Sequence, residues 1–192
     1  MSIADSFRRH QEIVQESCAT LVPALDRLAE ALAQALQQHH KLLVCGNGGS
    51  AADAQHFACE LVGRRPSGGA GLAALALGTD AALATAVSND LGFEQLFARQ
   101  IEAVAQPGDV LLVLTTSGTS PNIVAAARQA KRLGCRVAAL CGNRAVPLLD
   151  IVDWVIAVPS SEVARIQEVH ALCLHALAEA LDQAVPTTRA TA

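Results

Sequence analysis

Residues 42–64, LLVCGNGGSAADAQHFACELVGR, constrain the fold more than any other stretch. Leu42 to Cys45 is a short apolar run, as a buried parallel strand requires. Gly46, Gly48 and Gly49 let the backbone turn sharply and come close to a ligand. Ser50 is placed to cap a helix over Ala51 to Val62. A strand, a glycine turn and a helix N-terminus make an anion site, because free N–H groups and the positive dipole end converge on one spot. His56 and Glu60, spaced i, i+4, project from one face of that helix. They form either a solvated surface pair or part of a site beside the anion cradle.

The rest of the chain repeats this alternation. Residues 3–39 carry apolar residues at helical spacing, read as two helices meeting near Pro23. Their apolar face needs cover, from their own sheet or from another subunit. Residues 64–71, RRPSGGAG, form a polar loop free to move. Leu72 to Leu77 is a second strand, and a short helix over 81–87 breaks at Ser88-Asn89-Asp90-Leu91-Gly92. A further helix runs from Phe93 to Val104. Val110 to Leu114 is the third strand and opens into Thr115-Thr116-Ser117-Gly118-Thr119-Ser120. Pro121 then starts a helix to Leu133, with Ser120 as N-cap. Strands over 136–140 and 154–158 and a helix over 164–184 complete the chain, and residues 185–192 read as a flexible tail.

Strands alternating with helices imply an α/β three-layer sandwich: a five-stranded parallel sheet with helices on both faces, preceded by N-terminal helices. The reading is one domain over 1–192, with a helical segment to 39 and the α/β core over 40–184. Ligands in such sheets bind at the carboxyl ends of the strands, where both loops emerge.

Composition narrows the function. Aromatics are only 3% against 52% hydrophobic residues, so Ala and Leu do the packing, which favours close helical layers over a β-sandwich. The net charge of −4, with no basic block, argues against nucleic acid as the main partner. No signal-peptide pattern opens the chain, and no apolar run is long enough for a membrane span. Cys18, Cys45, Cys59, Cys135, Cys141 and Cys173 show no CxxC spacing. They read as free thiols of a reducing cytoplasm.

Two signals remain open on residue chemistry alone. Gly46, Gly48 and Ala51 also satisfy a loose dinucleotide fingerprint, GxGxxG/A. That fold wants an acidic residue about 20 positions on, where this chain has Gly63, Arg64, Arg65 and Pro66. The hydroxyl-rich second loop fits a grip on a phosphorylated sugar better. The last helix carries Arg165, Gln167, Glu168, His170 and His175. At about 100° per residue, Glu168 and His175 lie nearly in line, whereas Gln167 and His175 diverge by about 80°. Geometry on a single helix therefore favours Glu168 with His175.

Four stretches, CGNGGSAADAQHFACELVGR, AVSNDLGFEQLFARQIEAV, GDVLLVLTTSGTSPNIVAAA and ARIQEVHALCLHAL, resemble the SIS (sugar isomerase) family. The resemblance runs from Leu42 to Leu181 in order and spacing. It implies the five-stranded sandwich and a homotetramer with active sites at subunit contacts. It implies interconversion of sedoheptulose 7-phosphate and D-glycero-D-manno-heptose 7-phosphate, which supplies heptose for lipopolysaccharide or other surface glycans. Residue by residue it implies a phosphate grip of Thr115, Thr116, Ser117 and Ser120. The implied sugar contacts are Asn47, Gly48, Gly49, Asn89 and Asp90, with Glu60 and Gln167 also touching substrate. The implied Zn²⁺ ligands are His56, Glu60, Gln167 and His175, with Glu60 as base and His175 as acid. On this point the resemblance overrides the geometric preference for Glu168.

The chain departs from family habit in Thr115 for Ser, Thr119 for Asn, a shorter Cys141-Gly142-Asn143-Arg144 loop, and Ala164 where some relatives carry Asp. The rival is a non-catalytic SIS-domain tetramer that binds the replication initiator protein or senses sugar phosphates. Glu60 and His175, both present, favour the enzyme.

Overall fold

The computed structural model describes residues 2–63, 65–143 and 146–185. Arg64 of the expected loop, Arg144 and the tail from Pro186 onward lie outside the described residues. In chain order the elements are α1 (Ile3–Gln37), β1 (Leu42–Gly46), α2 (Gly49–Val62), β2 (Ala74–Ala76) and α3 (Ala81–Asp90). After a 3₁₀ turn at Phe93–Gln95 come α4 (Leu96–Val104), β3 (Val110–Leu114), α5 (Pro121–Arg132) and β4 (Arg136–Gly142). The chain then forms α6 (Val146–Leu149), β5 (Trp154–Val158) and α7 (Val163–Ala184).

The five strands form one parallel sheet in the order β2-β1-β3-β4-β5. From β1 the chain goes first to β2 on one side, then returns to β3 on the other. The switch point therefore lies between β1 and β3, and the crevice at their carboxyl ends is the place for a ligand.

Side-chain alternation along the strands builds two cores. Leu42, Val44, Leu112, Leu114, Ala138, Leu140, Ile156 and Val158 pack against α1, α2 and α7. Leu43, Cys45, Leu111, Val113, Val137 and Ala139 pack against α4 and α5. These are the outer layers of the expected sandwich. α1 is covered by its own chain: Ile13, Leu21, Leu28 and Leu32 join Ile156, Val158 and Leu177 in the first core.

Several expected boundaries change. The N-terminal segment is one helix, not two, with Pro23 inside it. Proline lacks the N–H and crowds the carbonyl four residues back, at a cost of about 3 kcal/mol. Ala19 and Pro23 are both exposed, so water can reach that carbonyl. The buried stripe of Ile13, Leu21, Leu28 and Leu32 continues on both sides of Pro23. Each such side chain contributes about 1.5–3 kcal/mol on burial, which outweighs the break.

β2 is shorter than expected, because Leu72 N–H donates to the Leu61 carbonyl at the end of α2 (2.8 Å) instead of joining the ladder. α3 runs on through Ser88 to Asp90. The break falls at Gly92, whose φ of 91° suits glycine. α2 begins at Gly49 with Gly48 as its N-cap, and Ser50 is buried in the first turn instead of capping it. Ser120 is the N-cap residue of α5, as expected, yet its side chain makes no capping bond.

Candidate active site

The β1 and β3 loops stand side by side at the switch point. Gly48 takes φ 57°, where only glycine is at ease, and no side chain caps α2. A Cβ on Gly46 would sit 2.6 Å from the Ser50 carbonyl oxygen, so the turn is too tight for any other residue. The helix N-terminus is thus left bare, as an anion site requires.

The two loops are joined by a reciprocal amide pair. Asn122 Nδ2 donates to Asn47 Oδ1 at 2.8 Å, and Asn47 Nδ2 donates to Asn122 Oδ1 at 2.9 Å. Asn122 is buried at the start of α5. Sequence reading missed it, because an Asn in a first helical turn is ordinary. Its side chain spends one donor and one acceptor on Asn47, so Asn47 offers a ligand only its remaining amide valences.

The second loop presents hydroxyls. Thr115 is buried, and its Oγ1 accepts from Gly118 N–H at 3.1 Å, so it stitches the turn together. Ser117 is exposed and accepts from Thr119 Oγ1 at 3.0 Å. Thr116, Ser117, Thr119, Asn143 and Ser161 line a cavity of about 300 Å³ floored by Ile166. Ser120 has its hydroxyl free of any cap, beside the α5 N-terminus. A larger cavity of about 470 Å³ lies on the β2 side, among Leu75, Leu83, Arg99 and Val104, and no expected site residue lines it.

The His56 and Glu60 pair is completed by α7. His56 Nε2 is 3.3 Å from His175 Nε2 and 3.6 Å from Glu60 Oε1. The two imidazoles meet edge to face, with ring centroids 5.0 Å apart. One ligating atom from each of His56, Glu60 and His175 falls within 4.8 Å of the others. Two imidazole nitrogens so close need a shared proton or a cation between them. Tetrahedral ligands at about 2.0–2.1 Å from a zinc ion stand about 3.4 Å from one another. The donor set and its spacing therefore fit Zn²⁺ with a fourth position open. Asp53, one turn before His56, has Oδ2 buried without a hydrogen-bond partner among the described residues. Burial raises its pKa, against the pull of His56.

Gln167 and Glu168 separate cleanly. Glu168 turns to α1, bonding His10 Nδ1 at 2.7 Å and Arg165 Nη2 at 2.5 Å. The alignment with His175 on a helical wheel thus brings no contact with the metal-type group. Gln167 faces α2: a Cβ on Gly49 would lie 2.7 Å from its Nε2. Eight residues, about 12 Å of helix rise, divide Gln167 from His175. Within one chain Gln167 sits at the glycine loop instead of with the three converging donors. Asn89 and Asp90 are exposed at the end of α3, with Asn89 Nδ2 donating to Asp90 Oδ1 at 2.7 Å.

All six cysteines are free, four buried and two, Cys18 and Cys59, exposed. Burial pushes the Cys135 and Cys141 thiols up to about 11 and Cys173 to about 12, so they are inert packing groups. Among the described residues, no helix is long and apolar enough to cross a membrane.

The doubly wound sheet with two strand-end loops and a bare helix N-terminus is the architecture of an α/β domain that can take an anionic ligand at its switch point. The family described as SIS domain matches residues 7–142, and the chain belongs to that family. Its relatives are more particular. The phosphoheptose isomerase of Geotalea daltonii is 45% identical over 181 residues, 94% of each chain. The solved phosphoheptose isomerase of Francisella tularensis superposes with a TM-score of 0.92 at 39% identity, covering 94% of this chain and 96% of that one. The corresponding structure from Neisseria gonorrhoeae gives a TM-score of 0.89 at 39% identity, covering 94% and 97%.

Proposed function

We propose that this chain interconverts sedoheptulose 7-phosphate and D-glycero-D-manno-heptose 7-phosphate, an early step in supplying heptose for lipopolysaccharide or other surface glycans in the cytoplasm. It is an enzyme of the isomerase class, like the relatives that span its length. The observation that carries this reading is the His56, Glu60 and His175 group on the two helices flanking the glycine loop. Two helical turns, about 10 Å, separate Gly49 from His56. That leaves room for a sugar's carbon chain between a phosphate held at the loops and a carbonyl at the group.

Aldose–ketose isomerisation moves a proton between C1 and C2 through an enediol. Glu60 takes the carbon-bound proton from one carbon and returns it to the other. Glu60 Oε1 is the oxygen facing His56, so Oε2 serves as the base. His175 delivers a proton to the carbonyl oxygen that becomes a hydroxyl, and recovers one from the hydroxyl that becomes the carbonyl. His56, Glu60 and His175 would hold Zn²⁺, and Gln167 could join them as a ligand only from a neighbouring chain. When bound, the ion would polarise the carbonyl and stabilise negative charge on oxygen. Thr116, Ser117 and Ser120, with the α5 N-terminus, hold the phosphate. Anchoring that remote end fixes the reacting carbons in place.

We further propose a homotetramer in which Asn89 and Asp90 complete a neighbour's site. Exposed Leu91 and Phe93 flank that pair, while exposed Val62 and Leu172 flank Glu60 and His175. Apolar surface at both places suits faces that meet. The test is to assay Glu60→Gln and His175→Ala for ketose-to-aldose conversion. Each should lose at least about 100-fold in kcat, the scale of general acid–base catalysis. Near-normal turnover in either would remove its assigned role.

A further inference from the structure

We propose that Arg65 and Asp182 form a clasp that positions α7 against α2, so that His175 meets His56 and Glu60 before any ion arrives. This rests on reading those three residues as a metal site.

The clasp is densely bonded. The Arg65 side chain is 3% exposed. Its Nε donates to Asp182 Oδ1 at 2.8 Å, and Nη1 to the Ala70 carbonyl at 3.1 Å. Nη2 donates to the carbonyls of Asp182 at 2.9 Å and Val185 at 2.8 Å. Asp182 in turn accepts from Ser67 Oγ at 2.6 Å and Ser67 N–H at 3.0 Å. A buried guanidinium is tolerated only when paired and hydrogen-bonded in this way. The last turn of α7 has no basic residue of its own, and Arg65 supplies partners for its terminal carbonyls from another segment.

Its place in the fold gives it a consequence. Gly49 meets Gln167, His56 meets His175, and Arg65 meets Asp182. These contacts are successive rungs from α2, and from the segment just past its end, to α7, taken in the same direction along both. His175 and Asp182 are seven residues apart, within about 20° on α7. The cleft between the last two rungs, about 140 Å³, is lined by Glu60, Arg65, His175 and Asp182. His56, Glu60 and His175 are all exposed, so close packing does not fix their spacing. Groups that hydrogen-bond a metal ligand directly commonly carry about 10–100-fold in affinity, and Arg65 and Asp182 act one step further out, by fastening the helices that bear the ligands. Residues 65–70 are therefore scaffold, not the free loop their composition suggested.

The test measures zinc affinity by competition with a chromophoric chelator, alongside the thermal midpoint of the chelator-stripped protein. Variants are Arg65→Lys, Asp182→Asn and the milder Ser67→Ala. Lys131→Ala serves as control, because it removes an exposed ion pair with Asp153 on the opposite layer. We expect Arg65→Lys and Asp182→Asn to bind zinc at least about tenfold more weakly than the parent. Ser67→Ala should fall between, and it carries the test if the other two do not fold. Lys131→Ala should bind as the parent does, whatever its midpoint. Clasp variants binding zinc within threefold of the parent would overturn the proposal. A parent that binds no zinc would instead remove the metal reading beneath it.

Discussion

His170 sits on α7 five residues before His175 and takes no part in the proton transfer. It is fully buried, and among the described residues neither ring nitrogen has a hydrogen-bond partner in good geometry. Burial pushes its pKa down to about 4, outweighing an upward pull from the nearby Cys141 backbone. In an unfolded chain the same imidazole takes a proton near 6.5. Between those values the unfolded state binds the extra proton, so stability falls as pH falls from about 6.5 towards 4. From pH 7 to pH 5 that is worth about 2 kcal/mol. Denaturant unfolding of the chelator-stripped protein at the two pH values should show this loss, and His170→Gln should show less of it by about that amount. An equal loss in both proteins would mean that His170 is not neutral in the fold. At this scale the sequence was informative where chemistry and spacing coincide. His56 and Glu60 could be paired from their positions alone. That Gln167 faces α2 while Glu168 faces α1 could not. A single helix does not reveal which face meets α1, with its His10, and which meets α2, with its Gly49.

Among the elements, strands were the more legible, since a buried apolar run bounded by turns has few alternative readings. β3 and β5 fall where the residues placed them, and the α2 and α5 starts shift by two residues or fewer. Pro23 misled because a local rule was set against a stripe of buried side chains, which only the packed fold reveals. Long-range side-chain bonds were invisible for a similar reason. Asn47 and Asn122 are 75 residues apart, and Arg65 and Asp182 are 117 apart. Neither pair leaves a periodic trace. The amide pair makes its own prediction. Asn122→Ala strands a half-buried amide on Asn47, which costs about 1–3 kcal/mol. It also frees the first loop to move relative to the phosphate grip, so KM for the sugar phosphate should rise more than kcat falls. In a double-mutant cycle by denaturant unfolding, Asn47→Ala with Asn122→Ala should cost less than the sum of the singles. Additive losses would mean that the two amides do not act as a unit.

For the whole molecule, the question is whether one chain holds a full set of site residues. His56, Glu60 and His175 converge within a single chain, whereas Asn89 and Asp90 lie exposed at the end of α3, their side chains bonded to each other. If Asp90 serves a neighbour's Glu60, two inactive variants can rescue one another. Glu60→Gln and Asp90→Asn would each be assembled alone and shown to be inactive. They would then be mixed in equal amounts under conditions of subunit exchange. A shared site draws Glu60 from one chain and Asp90 from another. With random assembly about a quarter of sites then carry both native residues, and about a quarter of parental activity should return. If both residues serve the site of their own chain, no mixed oligomer contains an intact site and the mixture stays inactive. The outcome depends on which chain supplies Asp90 and not on how much either substitution destabilises the fold. Rescue would make assembly a condition of catalysis, and dilution below the dissociation constant of the oligomer should then abolish turnover while each chain remains folded.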